Sequence, residues 1–439
     1  MDFAYIALGL CGGVVLVIWA SLRRTPSKAP KTFVAFVTAL TFSSLMPGAL
    51  SLPIQAMGVV GALAAWASQD REERPTGCVV PMVFLITCYW SALLLLPNVP
   101  GLNVGMLGIR KSMLALWGIV LGASIARAKV QSAWRWTSGL LAAGMVISIA
   151  LQLFLPDLAS RVAGSTQADQ YTGQIDGIVR MHGIFAGPFH AALCGITLVG
   201  IGVAVSREAR RTGLLFIALG ATGIYLTQVR TAYVAVAMIV LAFVLLSQSF
   251  SSLARRILVC GVAAVGALVL AFKLDAGFVG TLDSIRHFSQ DNRFEGRLPG
   301  WHEGLLMFRE SPLFGWGPGA AGDVMDLYFP APLRHVTSHN ILLKFVVEGG
   351  VIGLAMFLIV LALAWRHLEF GTTRGLTGGL VLVGLMGLGL TGSAIETLPV
   401  SYLLFVLVGL GLTRRSGREA RSAARKIQTD VSDGTVMAR

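Results

Sequence analysis

Apolar runs of about 20 residues recur along almost the whole chain, and that is the length a helix needs to cross a hydrocarbon core of about 30 Å. Lipid offers no water to backbone N–H and C=O groups, so each run must satisfy them internally, as a helix does. A transmembrane β-barrel would show short segments of alternating polarity, and these runs do not alternate. Only 13% of the 439 residues are charged, against about 25% in an ordinary globular domain. The expected fold is an all-α polytopic integral membrane protein of about 12–13 transmembrane helices.

The runs fall at 3–22, 32–47, 54–67, 78–96, 112–126, 137–154, 184–205, 213–228, 231–247, 257–272, 340–365, 375–393 and 398–412. They group as N-terminal helices (1–154), central helices with arginines at their outer ends (155–272), a large loop (273–338), C-terminal helices (339–413) and a basic tail (414–439). The tail's polar composition predicts disorder. The second and third runs are short enough to form a re-entrant pair around a Pro-Gly turn. The first run precedes its positive charges, Arg23, Arg24, Lys28 and Lys31, which is the reverse of a secretory leader, so it is expected to remain as a helix.

Numbered from an outside start, the loops place 23 Lys and Arg residues on the inner side and 11 on the outer, with Lys344 inside a span. That bias follows the positive-inside rule and puts the large loop on the far side of the cytoplasmic membrane, with the C-terminal tail in the cytoplasm. The net charge of +13 is then mostly topology, and no nucleic-acid partner is expected. The five cysteines (Cys11, Cys78, Cys88, Cys194, Cys260) lie in apolar segments without CxxC or paired-histidine spacing; they are expected to be buried thiols, neither metal ligands nor a disulfide.

Within the stretch 291–354, the long polar interruption ends in Ser338-His339-Asn340 at the lip of a span. A neutral imidazole there is suited to accepting a proton from a hydroxyl near neutral pH, although a lone histidine is more often structural. Arg180, Arg230 and Arg297 sit at outer helix ends or in the loop. A guanidinium fork suits phosphate or diphosphate, while a single interfacial arginine ordinarily snorkels to the headgroups. Lys344 and Glu348, at i and i+4 on one helix, are explained by an internal ion pair. Glu348 is nine residues from His339 and faces away from it.

Trp301, Phe308, Phe314 and Trp316 suit either stacking on sugar rings or resting at the bilayer interface. No P-loop and no GxSxG elbow occurs. Gly317-Pro-Gly-Ala-Ala-Gly322 matches GxGxxG by letter, but its proline makes it a turn-rich loop. No Asp-x-Asp pair is present, and Asp323 and Asp326 are expected to be solvated, so no metal site is expected.

Taken together, Gly296-Arg297 with Trp301, Pro312-Leu-x-Gly315-x-Gly317-x-Gly319, His339-Asn340 with nine residues before Gly350, Arg180 ahead of His182-Gly183, and Thr227-x-x-Arg230 resemble the O-antigen ligase and polymerase family of bacterial envelope synthesis. The resemblance covers roughly residues 180–354. It implies a membrane-embedded, GT-C-like glycosyltransferase in the bacterial inner membrane that works without metal or other cofactor. Its donor would be a glycan on undecaprenyl diphosphate, and its acceptor a lipid A-core hydroxyl or another lipid-linked glycan. His339 would act as the base, Arg180, Arg230 and Arg297 would hold the diphosphate, and Asn340, Trp301 and His182 would support them.

The His-Asn-x9-Gly spacing is met most cleanly and favours ligase over the alternative, a polymerase of O-antigen or exopolysaccharide. With 51 glycines in the chain, the polymerase-like Arg-x10-Gly spacing from Arg293 to Gly304 is expected by chance. Two other classes stand beside these: a flippase or transporter, which would place ionisable residues mid-membrane in discontinuous helices, and a non-catalytic scaffold, which would tolerate loss of His339.

Overall fold

The computed structural model describes residues 33, 36–39, 48–69, 74, 77–99, 101–155, 174–175, 178–246, 297–322 and 336–413. The expected spans at 3–22 and 257–272 and the tail lie outside them. The described α-helices are α1 (Gly48–Ser68), α2 (Val79–Ala92), α3 (Leu102–Met113), α4 (Trp117–Ala123), α5 (Val130–Phe154), α6 (Pro188–Val205), α7 (Arg210–Thr227), α8 (Arg230–Leu245), α9 (Leu298–Glu310), α10 (Ile341–Arg366), α11 (Thr373–Gly389) and α12 (Val400–Leu410). Two short strands, β1 (Gln174–Ile175) and β2 (Ile178–Val179), pair antiparallel before α6.

Four helical stretches among the described residues are long and apolar enough to cross a membrane: Leu102–Ala123, Arg127–Phe154, Pro188–Val205 and Ile341–Arg366. Met57–Ser68, Val79–Leu95, Arg230–Leu245, Thr373–Gly389 and Val400–Leu410 are shorter apolar helices. Three expected starts shift by six residues or more; the sixth run begins at Val130, not at 137. The third run begins at Gly48, not at 54, with Pro53 carried inside its helix. The fifth begins at Leu102, ten residues before the apolar stretch, because Gly105 and Gly108 let the polar first half pack against Leu94 and the backbone of Pro318-Gly319.

Packing relies on small residues, as expected where lipid removes the hydrophobic drive between helices and close backbone contact replaces it. A Cβ on Gly195 of α6 would stand 2.8 Å from the Gly220 carbonyl oxygen of α7, and one on Gly202 2.7 Å from that of Gly213. Gly118 and Gly122, one turn apart on α4, lie against the α12 backbone at Tyr402 and Val406, and Gly409 answers against Ile119. Every residue of α12 is buried, so this helix is the centre of the core. Leu85, Leu215, Leu241, Leu245 and Phe154 are exposed on the outside, as a lipid-facing surface requires. Among the described cysteines only Cys194 is buried; Cys78 and Cys88, at the start and on the outward face of α2, are exposed, contrary to the expectation of buried thiols.

The span expected over 340–365 is present but not continuous. α10 breaks at Gly350, where φ is 63° and ψ −165°, a conformation reserved in practice for glycine. The segment Ser311–Gly319 fills the break. Its Trp316 and Gly317 N–H groups donate to the carbonyls of Val347 (2.8 Å) and Glu348 (2.9 Å), and the Val351 N–H donates to the Pro312 carbonyl (2.8 Å). The Tyr89 hydroxyl donates to the Gly349 carbonyl at 2.8 Å. The groups freed by the break are thus satisfied by a neighbouring segment, as a non-helical backbone at membrane depth requires. Gly317 (φ 91°) and Gly319 (φ 92°) give this segment its turns, which bears out the reading of the GxGxxG match as a turn-rich loop.

Candidate active site at one end of the bundle

Short contacts gather the candidate residues at one end of the helices. The Arg180 Nε donates to the Thr227 carbonyl at 3.1 Å, and the Met181 N–H donates to that of Leu226 at 2.9 Å. Thr227 closes α7, Gln228 turns through the left-handed region (φ 53°), and Arg230 opens α8 three residues on. The Arg180 guanidinium lies 5.8 Å from the Phe189 ring centroid at the start of α6. Phe189 packs under Gly392 in the connection that follows α11. In that same connection the Leu390 carbonyl accepts from Asn340 Nδ2 at 2.9 Å. Arg180, Arg230 and the His339-Asn340 pair therefore share one rim.

Arg297 joins them through α9. It is the N-cap of that helix, one turn before Trp301, and the Trp301 indole N–H donates to the Ser338 carbonyl at 2.8 Å. Gly300 allows the approach, since a Cβ there would stand 2.7 Å from the Thr337 carbonyl oxygen. Trp301 thus braces the residue just before His339. Trp316 also turns its indole inward, to the Met307 carbonyl at 2.7 Å.

His339 is half-buried with φ 40°, a left-handed conformation that is uncommon outside glycine. Asn340 explains how it is held. As N-cap of α10 its Oδ1 accepts from the N–H groups of Leu342 (2.9 Å) and Leu343 (3.0 Å), while its Nδ2 reaches Leu390. The asparagine therefore shapes the backbone beneath His339. His182 is 2% exposed, with Nδ1 against the Gly183 carbonyl at 3.1 Å, and packs below the rim. Burial pushes its imidazole below the usual histidine range, an effect the Gly183 carbonyl partly offsets.

Among the described residues, basic side chains are more numerous at the opposite end. Arg74, Arg127, Lys129, Arg207, Arg210, Arg211, Arg366 and Arg374 all flank helix ends there. That end is tied together by the Thr373–Glu208 hydrogen bond, the Glu369 N–H to the Gly411 carbonyl (3.0 Å), and Gln69 Nε2 to the Ala123 carbonyl (3.3 Å).

Behind the rim lies a charge cluster that sequence reasoning found only in part. The expected Lys344–Glu348 pair is present at 2.8 Å. Lys344 Nζ also meets Glu396 Oε1 at 2.8 Å and donates to the Ala321 carbonyl at 2.6 Å. Lys111 approaches the other Glu396 oxygen at 3.6 Å. Glu348 accepts further from Ser112 Oγ (2.6 Å), the Gly319 N–H (3.0 Å) and Trp90 Nε1 (3.4 Å). Glu396 comes from the turn Ala394–Glu396 between α11 and α12, and nothing local in the sequence marks it as a partner. A broken helix with buried charges is the pattern associated above with transporters. Here the protein's own Ser311–Gly319 segment occupies the break, and Lys344 and Glu348 are fully buried.

Among the described residues no group of three or more His, Cys, Asp or Glu side chains is placed to hold a metal ion. The fold is that of a multi-pass, all-α membrane protein, and the candidate histidine and arginines lie at one end of it. Residues 215–358, about a third of the chain, match the family model described as O-antigen ligase. The match contains Arg230, Arg297, Trp301, His339 and Asn340; Arg180 and His182 precede it. Among curated proteins, no match is found. The matched segment is similar to the O-antigen ligase domain.

Proposed function

We propose that this protein is an O-antigen ligase that transfers a glycan from undecaprenyl diphosphate to a lipid A-core hydroxyl, without metal, at the periplasmic face of the inner membrane. The observation that carries the reading is the shared rim: the contacts from Arg180 through Phe189 and Leu390 to Asn340 bring guanidiniums and His339 to one end of the bundle. The concentration of basic residues at the opposite end supports a cytoplasmic assignment for that end. With it goes the division proposed from the sequence, in which 273–338 is periplasmic and the tail from 414 is cytoplasmic.

In this mechanism His339 takes the proton of the acceptor hydroxyl as its oxygen attacks the anomeric carbon. The bond from that carbon to the phosphate oxygen breaks, and the undecaprenyl diphosphate leaves with both electrons. Arg180, Arg230 and Arg297 stabilise the charge that builds on the departing diphosphate, the point at which preorganised donors act most strongly. The donor carries its own activation, so no nucleotide site is required. Asn340 and Trp301 fix the backbone on either side of His339.

The test is transfer in proteoliposomes from an undecaprenyl diphosphate-linked glycan to purified lipid A-core. His339→Ala is expected to remain folded and inserted while transfer is lost. Arg230→Ala and Arg180→Ala are expected to raise the KM for donor more than that for acceptor. Undiminished transfer by the His339 variant refutes the mechanism, and a product extended only on the lipid-linked glycan assigns the polymerase instead.

A further inference from the structure

The first half of α10 with the two residues before it, His339 to Gly349, can be treated as a lever. Its hinge is the break at Gly350, and His339 stands at its tip, eleven residues or roughly 16 Å away at ~1.5 Å per residue. The base is gripped by Ser311–Gly319 and the tip by Asn340 and Trp301. Midway, Lys344 is the convergence point of Glu348, Glu396 and the Ala321 carbonyl.

Lys344 and Glu348 lie on the same helix and neutralise each other. Glu396 adds a second carboxylate to the buried site, and Lys111 on α3 compensates it at 3.6 Å. Burying such charges is costly in general, and apolar replacements of the same volume are often at least as stable, so stability alone is a weak reason for the pair. Geometry supplies a stronger one. Glu396 and Lys111 belong to the α11–α12 connection and to α3, so their contacts fix the lever against two elements outside α10. A Cβ on Gly322 would stand 2.5 Å from Glu396 Oε1, and the Gly322 N–H donates to the Val336 carbonyl at 3.1 Å, so the backbone there is moulded to the same carboxylate.

We infer that Glu396 is a positioning residue: through Lys344 it sets the angle of the α10 lever and hence the placement of His339. The inference rests on the proposed transferase reading. A tilt of ~5° at Gly350 would move the tip by more than ~1 Å, a displacement that can cost on the order of 10²-fold in rate.

The experiment pairs an activity with a distance. Spin labels replace Leu305 on α9, which rides on the lever, and Leu390 at the end of α11; both side chains are exposed, and the native cysteines are removed. Glu396→Gln is expected to broaden the label-to-label distance distribution and to lower kcat for transfer by about 10–100-fold, with the donor KM within about threefold. Glu396→Asp, which keeps the charge, is expected to restore a narrow distribution and most of kcat. A narrow distribution in Glu396→Gln overturns the inference, whatever its rate, and so does a broadened one with unchanged kcat. If the unsubstituted protein transfers no glycan, it is the transferase reading that fails, and the distance measurement still decides whether Glu396 sets the lever.

Discussion

Replacing Gly350 by alanine tests whether the break in α10 is built into the fold. At φ 63° and ψ −165° a side chain strains the backbone by about 1–3 kcal/mol. Space is also lacking, since the added Cβ would stand 2.6 Å from the Phe314 nitrogen and nearer still to the Leu313 carbonyl. Relief requires Ser311–Gly319 to withdraw, which strips the hydrogen bonds at Val347, Glu348 and Val351, each worth about 1 kcal/mol net. Strain and partial loss of these bonds together come to roughly 4 kcal/mol. Equilibrium unfolding in mixed micelles of mild detergent and dodecyl sulfate measures the change. Gly139→Ala on α5 is the control, because its Cβ meets nothing within 4 Å, and there alanine is expected to stabilise by up to about 1 kcal/mol. If Gly350→Ala unfolds within about 1 kcal/mol of the unsubstituted protein, the break is not enforced by this glycine and the reasoning fails.

Two more perturbations separate the supporting roles. Asn340→Ala removes a cap and the tie to Leu390 and is expected to cost about 2 kcal/mol in the same unfolding assay; Asn340→Asp keeps the cap, so it should recover most of that stability while losing the tie. His182 is buried with its proton affinity lowered relative to the unfolded chain, so the unfolded state binds the extra proton. Its contribution is complete above the usual value of 6.5 and is lost as pH falls below it. Unfolding midpoints between pH 7 and 5 should therefore drop in the parent protein and flatten in His182→Gln, and parallel slopes would contradict the assignment.

Much of the bundle is legible in composition and periodicity because lipid leaves the backbone so few options. Lys344 and Glu348 are legible because four residues is one helical turn. Glu396 is not, because its partners come from α3 and α10, far away in sequence, and its own neighbours read as an ordinary interfacial turn. The Gly349-Gly350 pair does carry a signal of the break, but an apolar run conceals it, and the segment that fills the break lies some thirty residues upstream. At the rim, residue types point to His339 and the arginines, whereas the parts played by Asn340 and Trp301 depend on backbone carbonyls that no residue code records.

The break also divides one hydrophobic length into two. From Val351 to Arg366, α10 runs only about 24 Å, short of the ~30 Å hydrocarbon thickness that an uninterrupted span would match. Bilayer thickness then bears on the rim: acyl chains that thin or thicken the membrane are expected to shift the height of the break against the headgroups, and with it the level of His339.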